Sequence, residues 1–317
     1  MSELIKYIKK DGRFILPRQR SQATLKEVAR WQTSGSRSKW PKHIANRSHA
    51  APPHRVSDSR LATTWIGHAT ALIQTAGLNI LTDPFFSKRA SPSQVIGPAR
   101  VRSPGIALKD LPPIDLILLS HNHYDHMDKP ALKALARRHT AKLITPLGNA
   151  RHAPWFDVVE LDWHQSHVHG EVKITALPAL HWSKRTLSDT NKSLWAAFMI
   201  ETSAGNIYFG ADTGFGEGHT FREVHRLFGP PRLSLLPIGA YEPRWFMAAQ
   251  HMNPEEAVQA HLILGSKQSL AIHHGTVQLT DEEVNAPVLA LAEAMKTANL
   301  KSHDFLVPDI GSTVWID

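Results

Sequence analysis

At 317 residues and 35.3 kDa the chain can bury a full core as one large α/β domain or two small ones, and its 42 % hydrophobic and 20 % charged residues are those of an ordinary globular protein. The lack of cysteine excludes disulfides and thiolate-held metals, so any metal must rest on nitrogen and oxygen ligands, for which 20 histidines are available. No run reaches the roughly 18 apolar residues of a membrane span and the first residues lack the apolar block of a secretory signal, from which a cytoplasmic protein is expected.

The net charge of +8 is gathered at one end. Residues 1–55 hold 13 Lys and Arg against Glu3, Asp11 and Glu27, a net +10, which leaves −2 for residues 56–317. We therefore expect a basic N-terminal arm, 1–55, partly extended over a body, 56–317. In "LIKYIKK" Leu4, Ile5, Tyr7 and Ile8 fall at helical spacing beside Lys6, Lys9 and Lys10, and the chain then runs through "SGSRSKWPKH" to "APPHR". Such an arm either lies solvated over the body or docks on an anionic membrane, where each basic residue contributes on the order of 1 kcal/mol. Nucleic acid, the less favoured partner, would feel the same field.

From Leu61 onward strand and helix signals alternate. "ATTWIGHATALIQTAGLNILTDP" predicts consecutive strands with a turn at Ala76-Gly77. "IDLILLS", Ile114 to Ser120, is a nearly continuous apolar run, as in a strand covered on both faces. "DKPALKALARRH" predicts a helix, with Asp128 as N-cap, Pro130 in the first turn and basic residues at its far end. Further strands are predicted at "AKLITP", "VKITALPAL", "SLWAAFMIET", "GNIYFGAD", "LSLLPIG", "SLAIHHG" and "DFLVP". Helices are predicted at "TFREVHRLFG", "NPEEAVQAHLILG" and "EEVNAPVLALAEAMKTANL". Interleaved strands and helices imply sheets covered by helices, and the meander at the start argues against a purely parallel sheet.

Between the strand ending at Ser120 and the helix starting at Lys129 stands "SHNHYDHMD", with three histidines and two aspartates. A strand's carboxyl end is where open α/β sheets place their sites. His121 and His123, two apart in extended chain, project the same way, and Asp125 and His126 follow on the turn. One pair can hold one ion and the other pair a second ion a few Å away. Further ligands are offered at similar places: His181 follows "VKITALPAL", Asp212 follows "NIYFGA" and His273 closes "SLAI". A carboxylate such as Asp212 suits a bridging position, because its two oxygens can each bind one ion.

HxHxDH followed by separate His, Asp and His at strand ends resembles the metallo-β-lactamase superfamily. Within it, "SHNHYDHMD", "HWSKRTLSDTNKSLW", "FGADTGF", "PIGAYEPRWFM", "QHMNPEEAVQAH" and "AIHHGT" are similar to the N-acylphosphatidylethanolamine-hydrolysing phospholipase D group. The resemblance implies an α/β fold, a four-layer αββα sandwich of two mixed sheets flanked by helices, with a dinuclear zinc site between the sheets. It implies His121, His123 and His181 on one Zn2+, Asp125, His126 and His273 on the other, Asp212 bridging, and Gln250 and His251 beside the metals. Iron and manganese suit the same imidazole and carboxylate ligands. His274 stands where that group is expected to carry tryptophan.

Two divalent ions about 3.5 to 4 Å apart lower the pKa of a shared water toward about 7 and stabilise attacking and leaving oxygens, which matches a phosphodiester substrate. Hydroxide would attack phosphorus of a phospholipid, expelling an N-acylethanolamine alkoxide and leaving phosphatidic acid. Asp125, Asp212 and His251 are the residues expected to carry the chemistry; the leaving-group proton comes from His251 or from a metal-bound water, and His251 also reads as an ordinary core or surface histidine. His68 and Asp83 read as groups that orient ligands. Tyr124, Arg185, Arg244 and Trp245 face substrate or pack, and "HQSHVHG" (His164, His167, His169) reads as a solvated loop. The rival functions are a lactonase or nuclease of the same superfamily and a non-catalytic metal-binding scaffold. All seven ligand positions are filled, which argues against the scaffold, and a lipid enzyme should show an apolar groove leading to the metals.

Overall fold

The computed structural model describes residues 4–17, 24–35, 37–57 and 59–317, so residues 1–3, 18–23 and 36 of the expected arm lie outside the described residues. The chain opens on a hairpin, β1 (Ile8–Lys10) and β2 (Arg13–Ile15), followed by a helix, α1 (Leu25–Thr33). The hairpin corrects the helical reading of "LIKYIKK". Asp11 and Gly12 carry φ of 50° and 70°. An Asp-Gly pair with both residues at positive φ is the favoured two-residue hairpin turn, and it outweighs a weak helical spacing four residues long. Helix α1, which the sequence reading did not anticipate, starts at a reciprocal cap between Thr24 and Glu27.

The body holds two seven-stranded mixed sheets. In the first, β3 (Leu61–Gly67), β4 (Thr70–Thr75) and β5 (Leu78–Thr82) form an antiparallel meander, and β6 (Leu116–Leu118), β7 (Lys142–Pro146) and β8 (Asp157–Leu161) extend it in parallel. Between β6 and β7 runs α2 (Lys129–Ala136), capped by Asp128 as expected. The second sheet begins antiparallel, with β9 (Ser166–His169), β10 (Val172–Leu177), β11 (Ala197–Thr202) and β12 (Gly205–Phe209), and continues parallel through β13 (Leu233–Pro237), β14 (Gln268–Ile272) and β15 (Phe305–Leu306). Its connections carry α3 (His219–Phe228), α4 (Arg244–Met247), α5 (Pro254–Leu264) and α6 (Ala286–Thr297), and β16 (Thr313–Ile316) returns to pair with β3. β9 corrects the solvated loop expected at "HQSHVHG": His167 and His169 pair with Ile174 and Val172, and His164 bonds the carbonyl of Ile5 at 3.0 Å.

Strand β6 shows why its sequence is apolar throughout. Leu116 and Leu118 belong to the large cluster that also contains Ile174, Phe198 and Phe209 of the second sheet, whereas Ile117 and Leu119 belong to the cluster with Leu132 and Leu135 of α2. Alternate side chains thus enter different layers.

The residues before 56 are tied down at several points. Tyr7 packs edge-on against Phe14 and Trp163, at 4.8 and 5.4 Å between ring centroids, and its hydroxyl donates to Asp162 at 2.8 Å. Arg55 forks onto Asp115 at 2.6 and 2.9 Å. Among the described residues no helix is long and apolar enough to cross a membrane.

Candidate metal centre

The site assembles where strands of both sheets end. The loop after β6 supplies His121, His123, Asp125 and His126; chain beyond β10, β12 and β14 supplies His181, Asp212 and His273; the β3–β4 turn supplies His68 and the end of β5 supplies Asp83. Several of these backbones are strained. His68, Asp83, Ala211 and His273 all have positive φ, 56°, 30°, 49° and 61°. Such conformations cost of order 1–3 kcal/mol each and persist where a site needs them. Gly239, after β13, admits the carbonyl of His273 so closely that a Cβ there would overlap it.

Two nests of donors result. In the first, His123 Nδ1 faces His121 Nε2 at 2.9 Å and His181 Nε2 at 3.2 Å. Tetrahedral bonds of about 2.0 Å from nitrogen to zinc place neighbouring nitrogens roughly 3.3 Å apart, so three rings converging this closely fit one ion. In the second nest, His126 Nε2 and His273 Nε2 lie 3.4 and 3.5 Å from Asp125 Oδ2. Asp212 joins the two: Oδ2 is 3.1 Å from His126 and 3.7 Å from His181, and Oδ1 is 3.2 Å from His273. The nitrogens His126 Nε2 and His273 Nε2 and the oxygen Asp212 Oδ1 are buried without a hydrogen-bond partner. Buried polar atoms left unpaired cost free energy, and a bound cation would satisfy all of them. The donor set therefore fits two divalent ions, with nitrogen and oxygen ligands only.

Neighbouring groups aim these donors. Asp83 accepts from Ser120 N, Ser120 Oγ and His126 Nδ1 at 2.7, 2.6 and 2.7 Å, which turns Nε2 of His126 inward. The carbonyl of Gln250 accepts from His181 Nδ1 at 3.2 Å with the same effect. His68 goes further than the orienting role expected of it. Its Nε2 lies 2.8 Å from Asp125 Oδ2, and it groups with Asp125, His126 and His273 among atoms close enough to share an ion.

Electrostatics keep the carboxylates charged. Burial raises the affinity of Asp125 and Asp212 for a proton, but His126 and His273 outweigh it and hold both well below the usual carboxylate range. His126 is lowered by burial but raised well above its ordinary value by Asp212, Asp125 and Asp83. Burial, reinforced by His273, pushes His68 down to about 3, and burial pushes His251 down to about 4 against the pull of Asp212, so both rings are neutral at neutral pH.

Every ligand position expected from the sequence is thus brought into one cluster, with His251 beside it, its Nδ1 3.9 Å from Asp212 Oδ2. Arg244 is not at the site's mouth: it pairs with Glu256 at 2.7 Å and donates to the carbonyl of His251, which makes it a strut. His274 stacks on Trp65 at 4.5 Å between centroids. Tyr124 lies under the Arg185 guanidinium, 4.2 Å from the ring centroid, and donates to the Arg185 carbonyl.

Above the cluster opens a cleft of about 630 Å³, and its walls are what the sequence reading missed. Val28 and Trp31 of α1, Trp182, Leu187, Phe246 and Met247 line it, and Asp125, His181, Asp212 and His251 form its floor. Trp31 stacks on Phe246 at 5.1 Å and donates to Asp281 at 2.9 Å. The spacing of Val28 and Trp31, three apart on a helix, was the available signal.

Residues 78–274 match the family model described as the beta-lactamase superfamily domain. The chain is 40 % identical to an uncharacterised protein of Mycobacterium tuberculosis over 80 % of this chain and 70 % of that one. It is 38 % identical to N-acyl-phosphatidylethanolamine-hydrolyzing phospholipase D 1 of Caenorhabditis elegans, over 82 % of this chain and 76 % of that one. Among solved structures, Igni18, a metallo hydrolase of Ignicoccus hospitalis, superposes with a TM-score of 0.61 at 19 % identity, over 81 % of this chain and 99 % of that one, which is a likeness of fold.

Proposed function

The chain belongs to the beta-lactamase superfamily and is a metal-dependent hydrolase of the metallo-β-lactamase fold; from that premise we propose that it is a phosphoric diester hydrolase of the phospholipase D type, acting on N-acylphosphatidylethanolamine-like lipids. The observation that carries this reading is the apolar cleft of about 630 Å³ over the His and Asp cluster, whose floor is formed by Asp125, His181, Asp212 and His251. The name of the Caenorhabditis elegans relative supports the same substrate class.

In this reading His121, His123 and His181 would hold one zinc ion and Asp125, His126 and His273 the other, with the Asp212 carboxylate placed to serve either nest. Two such ions supply a water acidified toward a pKa of about 7 and positive charge for the phosphoryl oxygens. The chain's own groups set the stage. Asp125 and Asp212 stay ionised and give the cage its negative charge. Asp83 and the Gln250 carbonyl keep the ligand rings turned inward. His251, neutral and on the cleft floor, offers a ring N–H to the departing oxygen and steadies it by a hydrogen bond, a narrower role than proton donor. The apolar walls exclude water and orient the lipid. The basic residues Lys26 and Arg30 are exposed on the helix that walls the cleft, which supports peripheral contact with an anionic membrane.

The deciding experiment offers metal-replete protein N-acylphosphatidylethanolamine vesicles, phosphatidylcholine, a homoserine lactone, short RNA and soluble bis-p-nitrophenyl phosphate. We expect close to two ions per chain and release of N-acylethanolamine and phosphatidic acid from the vesicles. Turnover of the soluble diester with none on vesicles would end the lipid reading, and preference for the lactone or the RNA would replace it.

A further inference from the structure

Beside the cleft lies a second cavity, of about 340 Å³, that the proposed reaction does not use. Pro92, Tyr124, Arg185 and Thr186 line both cavities. The second is cationic, with Arg89, Lys129 and Arg185 around it and His152 in its wall. The acid in its lining, Asp128, is spent: Oδ2 accepts from Phe86 N and Ser87 N at 2.9 and 2.6 Å, and Oδ1 from Ser87 Oγ and Ala131 N at 2.8 and 3.3 Å.

No salt bridge among the described residues closes on the basic groups, although Asp128 and Asp189 lie near enough to act on Arg185. Among the described residues Arg89, Lys129 and Arg185 pair with no carboxylate, whereas Arg55, Lys142 and Arg244 elsewhere each do. Arg185 Nη1 is used on the carbonyls of Asn122 and Met127, at 3.1 and 2.8 Å. Its Nε and Nη2, like Lys129 Nζ, have no hydrogen-bond partner among the described residues. The crowding has an electrostatic cost: burial, then Arg185 and Arg151, lower Lys129, and burial, Lys129, Arg151 and Arg185 push His152 down to about 4. Like charges gathered around a hollow with unspent donors are the surroundings an anion would relieve.

We propose that this cavity is a binding site for a dianionic phosphate group, free or terminal on a monoester. Two guanidinium groups and an ammonium around one hollow suit a dianion with three free oxygens, where one forked arginine would serve a planar carboxylate. Inorganic phosphate and the headgroup of phosphatidic acid share this chemistry. The site does not depend on the lipid reaction proposed above, and its test reads binding and not turnover.

The test titrates metal-loaded protein calorimetrically with inorganic phosphate, with dihexanoyl phosphatidic acid and with dihexanoyl phosphatidylcholine. The variants are Arg89→Ala with Lys129→Ala, and Lys129→Glu alone, which leaves Arg89 in place and puts an acid in the first turn of α2, where the helix dipole favours it. We expect both variants to bind inorganic phosphate and phosphatidic acid at least about tenfold more weakly, the loss of roughly one charge-assisted contact, with metal content unchanged. Tighter binding of phosphatidic acid than of phosphate assigns the site to a lipid headgroup; equal binding assigns it to the free ion. Superimposable titrations of the wild type and both variants would overturn the proposal, as would equal affinity for phosphatidylcholine or no binding by the wild type.

Discussion

The rings that face Asp212 are almost completely buried, with His126, His181 and His273 at 0, 1 and 2 % exposure, whereas Leu187 at the mouth of the cleft above them is 97 % exposed. The two regions are built by different physics. In the cage His126 is aimed by the buried Asp83 carboxylate and His181 by the Gln250 carbonyl, and strained φ angles are accepted at His68, Asp83 and His273. The mouth is made from loops, the short helix α4 and α1 from outside the sheets, and what they supply is apolar surface and shape. The difference teaches that reaction and substrate choice rest on separate parts, so each can be broken while the other stands.

Breaking the cage should cost most. Asp212→Asn removes a charge that faces both nests, and because loss of an orienting partner alone costs about 10–100-fold, we expect a fall greater than about 100-fold on lipid and soluble diester alike. Parallel assays on both substrates check this; a loss on one substrate only would merge the two regions. One layer outward, Asp83→Asn replaces an acceptor of three hydrogen bonds with a group that must turn a donor toward Ser120 or His126. Metal affinity measured by competition with a chelator should fall by about 10–100-fold.

The mouth should behave otherwise. Trp31→Ala strips one wall and the stack on Phe246; losing about 1.4 kcal/mol of apolar contact lowers kcat/KM on vesicles about tenfold. The soluble diester, which needs no wall, should be turned over at an unchanged rate, and a fall on both would show that α1 supports the cage. Smallest is the anchoring of the arm. Tyr7→Phe removes the hydrogen bond to Asp162 and should lower thermal stability by about 1 kcal/mol, read by denaturant titration, with catalysis untouched.

Much of the cage was legible because its signals are local. HxHxDH sits after a buried strand and before a capped helix, and residues two apart in extended chain share a direction whatever the rest of the fold does. His181, Asp212 and His273 were legible for the same reason, as polar residues closing apolar runs. His68 was legible only as a helper, since nothing in "WIGHAT" tells that the β3–β4 turn carries its ring to Asp125, 57 positions on. "HQSHVHG" read as a loop because its polar side chains hid an edge strand that pairs on one side. In "LIKYIKK" the helical spacing masked a hairpin whose true signal, Asp11-Gly12, stands just past the motif.

The sequence by itself determined the chemistry: which atoms can bind metal, that they are nitrogen and oxygen, and that they stand at the ends of buried strands. Only the tertiary structure decided which of them meet and what surrounds them, because the order of strands in two sheets sets distances between residues far apart in the chain. The cleft is the clearest case, since its walls join α1 to segments more than a hundred residues distant, and apolar side chains at the surface carry no mark of the partner they will face.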